Sequence, residues 1–240
     1  MLIYILLSIP LVTITTTIMI SSSAVKTLRI LNFISSIITL LYSLFFILGG
    51  QIKNSIIYSS NTYFSTDRVF SSVLTFGNTL TIDGISMLFI ILTSTIFPLC
   101  FLSVWNIKKN IKELLICLQI LEVLTFIVFM VQDIFLFYIF FEIILIPMFY
   151  IIINWGPNDR KVKAAFYFFI YTFIGSILLL FAIFFIYNEV GSTNFSIILT
   201  HSFSYQKQIC LIFLLFFSSF HPASSLHLLH HLCLVEMRSV

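Results

Sequence analysis

The sequence predicts an all-α fold: a polytopic transmembrane helical bundle with six full spans and a partial seventh. Three observations predict it. Of the 240 residues, 60% are hydrophobic and only 9% are charged, whereas soluble domains average about 25% charged. The apolar residues fall in runs of roughly 20, the length that crosses a bilayer core about 30 Å thick. The basic residues are shared unequally between alternate connections, as in multi-span membrane proteins.

The first helix is expected at Leu2 to Ile20, with Pro10 inside it. It lacks a basic leader and a small-residue cleavage site, so it reads as a retained span and not a signal peptide. A short polar loop with Lys26 and Arg29 follows. The second helix runs from about Leu28 to Leu48 and is ended by Gly49 and Gly50. Residues 51–81 form a long polar connection whose SSVLTF stretch alternates like a surface hairpin. Asp83 is a plausible N-cap for the third helix, which reaches about Trp105 and contains Pro98. The fourth runs from about Lys112 to Val131. Gln132 and Asp133 make a tight turn into the fifth, Asp133 to Trp155. The sixth spans about Ala164 to Tyr187, with Gly175 and Ser176 as a small patch where another helix can approach. Lys163, Tyr167 and Tyr171 share one face. A polar loop from Asn188 to Gln208 precedes a seventh run, Ile209 to Phe220, too short to span alone.

Lys26, Arg29, Lys108, Lys109, Lys112, Arg160, Lys161 and Lys163 cluster at the first, third and fifth connections. Lys53, Arg68 and Lys207 lie at the others, and Arg238 is in the tail. This asymmetry places the 1–2, 3–4 and 5–6 loops in the cytoplasm or matrix.

The stretch DIFLFYIFFEIILIPMFYIIINW holds the most informative residues. Glu142 lies about 13.5 Å along the helix from Asp133, close to the bilayer midplane. Five residues on, Pro147 has no N–H for the carbonyl of Ile143, which leaves a free acceptor next to the acid. An acid at that depth marks an ion or proton path by default. The alternative is a protonated glutamic acid that only joins helices by a hydrogen bond. Glu122 lies about 15 Å from Lys112 on the preceding helix, at a similar depth. If the two acids face each other they form a pair able to hold and pass a proton; if not, each serves a different neighbour. Lys163 is a possible accessory to such a path, or one of several topology determinants.

Other chemistry is excluded or unsupported. No basic patch interleaved with aromatics suits nucleic acid. No G-x-G-x-x-G and no cysteine cluster suits a dinucleotide, flavin or iron–sulfur centre. His227, His230, His231 and Cys233 carry zinc-ligand side chains at a spacing that matches no zinc motif, so no metal site is assigned. The 29 phenylalanines, with abundant Ile and Leu, fit an AT-rich coding genome such as an organelle's.

The runs VQDIFLFYIFFEIILIPMFYIIINWG and KVKAAFYFFIYTFIGSILLLFAI, with IDGISMLFIILT at 82–93, resemble the subunit 4 family of respiratory complex I, the mitochondrial NADH–ubiquinone oxidoreductase chain 4 proteins. The resemblance covers about residues 80–220; residues 1–80 fit in hydropathy and helix count. It implies a proton-translocating subunit of the membrane arm, multi-pass in the mitochondrial inner membrane, whose partners are other membrane-arm subunits and the lipid bilayer. The whole complex would be an NADH:ubiquinone reductase using NADH, FMN, iron–sulfur clusters and ubiquinone, with no redox chemistry and no cofactor in this chain. It implies that Glu142 is the helix-5 proton-channel glutamate and that Glu122 matches a helix-4 acid.

In the family that glutamate works with a seventh-helix lysine in a segment resembling SFAVK-x-P-M. Here the chain reads SSF at 218–220 and then departs. Residues 1–220 are therefore expected to form the transmembrane domain, the N-terminal half of an antiporter-like subunit. Residues 221–240 are expected to be an unrelated tail, as from a frameshift or read-through, and the chain alone is expected not to complete a channel. Two alternatives are a subunit of a cation/proton antiporter, whose fold the family shares, and a truncated membrane fragment without transport activity.

Overall fold

A hydrocarbon solvent offers no partner to a peptide group, so an apolar run that enters it must satisfy its backbone within itself. In the computed structural model, which describes residues 2–48, 80–82, 84–107, 109–156 and 161–212, the expected apolar runs are helical wherever they are described. The helices are α1 (Leu2–Met19), α2 (Val25–Leu48), α3 (Gly84–Ser103), α4 (Ile111–Met130), α5 (Ile134–Trp155), α6 (Lys161–Val190) and the short α7 (Phe195–Thr200). A 3-10 turn, Val104–Asn106, follows α3, and residues 205–212 are again helical. Among the described residues, α2 to α6 are long and apolar enough to cross a membrane, whereas α1 has a shorter apolar stretch, Tyr4–Met19. The expected hairpin within 51–79, the Asp83 cap, most of the seventh run and the 221–240 tail lie outside the described residues.

The hydroxyls that interrupt the apolar runs do not break them. Thr13, Thr15, Thr16 and Thr17 of α1 each donate to the carbonyl three residues back, at 2.8–3.0 Å. Such back-bonding lets a helix carry hydroxyls without an unpaired donor.

Three boundaries differ from the sequence reading. Lys26 and Arg29 lie inside the first turns of α2, and Lys161 and Lys163 inside those of α6. Long aliphatic stems let such cations sit on a helix end while the charge stays at the polar boundary. The polar 188–208 connection is also partly helical. α6 continues to Val190, Gly191 closes it at φ +72 with its N–H on the Tyr187 carbonyl at 2.8 Å, and Asn194 caps α7 by accepting from the Ser196 N–H at 3.1 Å. A left-handed residue just past the last turn is where glycine costs least.

The chain divides into two compact units, Met1–Gln132 and Asp133–Val240. In the first, α1 packs on α2 and α4, and α3 on α2 and α4, with α2 also touching α4. Leu6, Leu7, Ile90, Val123, Phe126 and Met130 form one core cluster. At one end of this unit, Lys112 Nζ donates to the carbonyls of Ile18 and Ile20 at 2.7 and 2.8 Å, and an Arg29 guanidinium N–H to that of Ile107 at 2.8 Å. At the other, the Thr81 N–H donates to the Met130 carbonyl at 2.8 Å, beside an isolated bridge between Leu80 and Val131.

In the second unit α5 packs along α6, and α6 touches α7. The Asp133 carboxylate begins α5, accepting from the N–H groups of Phe135 and Leu136 at 2.8 and 3.1 Å and from the Thr193 hydroxyl at 2.6 Å. Lys207 pairs with Glu189 at 2.6 Å on the exposed side.

Candidate functional site

Burying a polar group in an apolar interior costs free energy unless a hydrogen bond compensates it. The first unit nevertheless buries a row of them. On α2, Asn32, Ser35, Ser36, Thr39 and Ser43 repeat at three- and four-residue spacing and so share one face. All five are almost wholly buried, as are Ser94 on α3 and Gln119 and Glu122 on α4. This face is turned inward, which is the reverse of a soluble amphipathic helix.

Three cross-helix hydrogen bonds tie the row together. Gln119 Nε2 donates to Ser35 Oγ at 2.9 Å, Thr39 Oγ1 bonds Glu122 Oε1 at 2.8 Å, and the hydroxyls of Ser43 and Ser94 bond at 2.9 Å. The first two advance in the same direction on α2 and α4, so those helices run parallel. Ser43 with Ser94 and Arg29 with Ile107 advance oppositely, so α3 runs antiparallel to α2.

Glu122 is the centre of this arrangement. Its side chain is fully buried, and Oε2 makes no hydrogen bond within the protein. Thr39 Oγ1 also lies 2.8 Å from the Ser36 carbonyl. A hydroxyl has one hydrogen and can accept others, so the two contacts of Thr39 describe a switch. With Glu122 protonated, the carboxyl donates to Thr39 and Thr39 donates to Ser36. With Glu122 ionised, Thr39 turns its hydrogen to the carboxylate. Both charge states keep a partner through rotation about one bond.

The second unit holds Glu142, half-buried and eight residues into α5. The phenol of Tyr138, one turn earlier, lies within interaction range of the Glu142 carboxyl group and of the Ser176 hydroxyl on α6. The Glu142 Oε1 atom is buried and makes no hydrogen bond within the protein. Gly175 and Ser176, the small patch on α6, are both buried. Pro147 is buried inside α5, which stays helical on both sides of it, and the adjoining Ile143 faces outward.

Lys163 is exposed in the first turn of α6, about 20 Å along the axis from Ser176, and is not brought to Glu142. Among the described residues, the one ion pair in this unit is Lys207 with Glu189. Glu122 and Glu142 thus occupy separate units, the first bonded to Thr39 and the second with the phenol of Tyr138 nearby. The sequence reading missed Thr39, Gln119, Tyr138 and the α2 row. The spacing of 32, 36, 39 and 43, and of Tyr138 with Glu142, was the available signal. The tail residues His227, His230, His231 and Cys233 lie outside the described residues.

Comparison with known proteins places these helices. Residues 131–234 match the family model described as NADH:quinone oxidoreductase/Mrp antiporter, TM. NADH-ubiquinone oxidoreductase chain 4 of Arabidopsis thaliana is 40% identical over 202 residues, 84% of this chain and 40% of that protein. The chain 4 protein of Metridium senile is 51% identical over 121 residues, 50% of this chain and 25% of that protein. NADH-quinone oxidoreductase subunit M of Rhodobacter capsulatus is 36% identical over 198 residues, 78% of this chain and 37% of that protein. The chain therefore spans two fifths or less of the length of these relatives. Among solved structures, a chain of respiratory complex I from Thermus thermophilus with bound NADH superimposes with a TM-score of 0.64 at 18% identity, covering 91% of this chain and 43% of that one. At that identity the likeness speaks for the fold alone.

Proposed function

We propose that this chain, which belongs to the family of NADH-ubiquinone oxidoreductase chain 4, moves protons in the membrane arm of respiratory complex I. Its place is the mitochondrial inner membrane, in several passes, beside other membrane-arm subunits. The electron chemistry from NADH to ubiquinone belongs to the rest of the complex, as do NADH, FMN, the iron–sulfur clusters and ubiquinone. Glu122 and Glu142 are the proton-carrying groups of this chain, and Pro147 loosens the helix beside the second.

The observation that carries this reading is the Glu122 site. A carboxyl group sealed among membrane-spanning helices is costly as a bare charge. Here it meets a hydroxyl that serves it both with and without its proton. Glu142 likewise has a hydroxyl near it, that of Tyr138 one turn earlier on α5. The matched family model's description covers antiporters as well, and the named relatives that are oxidoreductase subunits favour the first reading.

The test uses the assembled complex in inner-membrane particles. Glu142→Gln keeps the shape and hydrogen-bonding capacity of the side chain and removes its titration. NADH:ubiquinone electron transfer and assembly should persist while proton translocation per electron falls sharply. Unchanged translocation in both Glu142→Gln and Glu122→Gln would sink the proposal.

A further inference from the structure

Within the first unit, the buried polar atoms that make no hydrogen bond in the protein are not scattered. Among the described residues they are Arg29 Nε, Asn32 Oδ1, Gln119 Oε1 and Glu122 Oε2. Asn32 and Arg29 lie one helical turn apart on α2, Gln119 is bonded to Ser35, and Glu122 to Thr39. Since α2 and α4 run parallel, the four atoms fall in sequence along one seam, from the Arg29 end to Glu122. The distance is about 15 Å, ten residues of helix. The row continues beyond Glu122 to Ser43 and Ser94, but there the hydroxyls satisfy one another.

Buried polar atoms in proteins are almost always paired, and those without a protein partner are commonly served by internal water. A water needs two to four polar partners. Each step of this seam offers an unpaired acceptor or donor beside hydroxyls with spare acceptor capacity: Ser35, Ser36 and Thr39. Neighbouring levels lie about 4.5–6 Å apart along the axis, a gap that one or two waters at about 2.8 Å spacing can bridge.

We propose that the α2–α4 seam of the first unit holds a file of bound water, which connects the basic end at Arg29 and Lys112 to Glu122 and stops there. The seam is a one-sided proton access to Glu122. It rests on the reading of Glu122 as a proton carrier and names the route that serves it. A proton moves along such a file by exchange of hydrogen bonds, each water receiving one and passing on another, so charge and atoms are conserved at every step. The satisfied Ser43–Ser94 pair ends the file on the far side of Glu122. Arg29 guards the entrance, with one guanidinium N–H on the Ile107 carbonyl and its Nε free to hold the first water.

The direct test is a density map of the assembled complex fine enough to show ordered water. Peaks at hydrogen-bonding distance from Asn32 Oδ1, Gln119 Oε1 and Glu122 Oε2 are expected, with none continuing past Ser43. A dry seam overturns the proposal. The functional arm compares Gln119→Leu and Asn32→Leu, which remove the polar atoms, with Ser103→Ala, an exposed hydroxyl on α3 outside the seam. Proton translocation should slow about tenfold in the first two, which corresponds to losing one ordinary hydrogen bond from the path, and should hold in Ser103→Ala. Wild-type translocation in both leucine variants, or equal slowing by Ser103→Ala, overturns the route. Failure of the underlying reading looks different: water is present in the seam, yet Glu122→Gln translocates normally.

Discussion

At the scale of single residues, the chain gives its two membrane acids different supports. Glu122 is fully buried and held by the hydroxyl of Thr39. Glu142 is half-buried and reached by the phenol of Tyr138 from its own helix. Position and depth made both acids legible in the sequence, because ionisable residues inside long apolar runs are few. Their partners were not legible. Thr39 is one of many hydroxyls in the first two helices, and only packing decides which of them meets a carboxyl group. The Thr39→Val variant tests this contact. Valine matches the shape and leaves both carboxyl oxygens of Glu122 without a protein partner, so stability should drop by about 1–3 kcal/mol. Thr39→Ser keeps the hydroxyl and should stay near wild type. Thermal denaturation of the detergent-solubilised complex reads the difference, and equal stability of the two variants would show that the contact contributes nothing.

At the scale of elements, α2 and α5 solve opposite problems. α2 turns its polar row inward and leaves Ile30, Ile34, Ile38, Leu41 and Phe45 exposed on the other side, as suits a helix between a polar seam and lipid. Hydropathy alone reads such a helix as a span and says nothing of which face is polar inside. The row appears only when residues 32, 36, 39 and 43 are placed on the 3.6-residue repeat. α5 is apolar nearly throughout, and its one acid is followed by Pro147. The missing N–H leaves the Ile143 carbonyl free of its helical partner. Pro147→Ala restores that bond, so α5 should be at least as stable while proton translocation falls, if the freed carbonyl or the local loosening serves Glu142. Translocation at the wild-type rate in a stable Pro147→Ala complex would assign the proline to packing alone. Exposed Phe135, Ile146 and Tyr150 leave α5 with a broad apolar surface for lipid or neighbouring subunits.

At the scale of the whole molecule, the all-α membrane class was legible, whereas of the six full spans expected, five, α2 to α6, are long and apolar enough to cross among the described residues. Apolar runs of membrane length have one physical solution, and the structure is helical at each described run. Helix ends were less legible, because Lys26, Arg29, Lys161 and Lys163 look like loop residues yet belong to first turns. Sidedness follows from charge. Lys112 and Arg29, one basic residue from each of the first and third connections, close one end of the first unit on the carbonyls of Ile18, Ile20 and Ile107. The positive-inside rule assigns that end to the matrix. Asn110, exposed in the turn before α4, reports it: a cysteine placed there should react with an impermeant thiol reagent only from the matrix face. Reaction from the intermembrane space would invert the topology, and with it the side from which water reaches Glu122.

If Glu122 and Glu142 carry protons, each takes one up and releases it during turnover. Infrared difference spectroscopy of the assembled complex, recorded as NADH is consumed, reads this. Carboxyl stretching bands should change during turnover, one set lost in Glu122→Gln and another in Glu142→Gln, while electron transfer continues. Identical difference spectra in the wild type and both variants would show that neither acid changes its protonation and that neither carries protons.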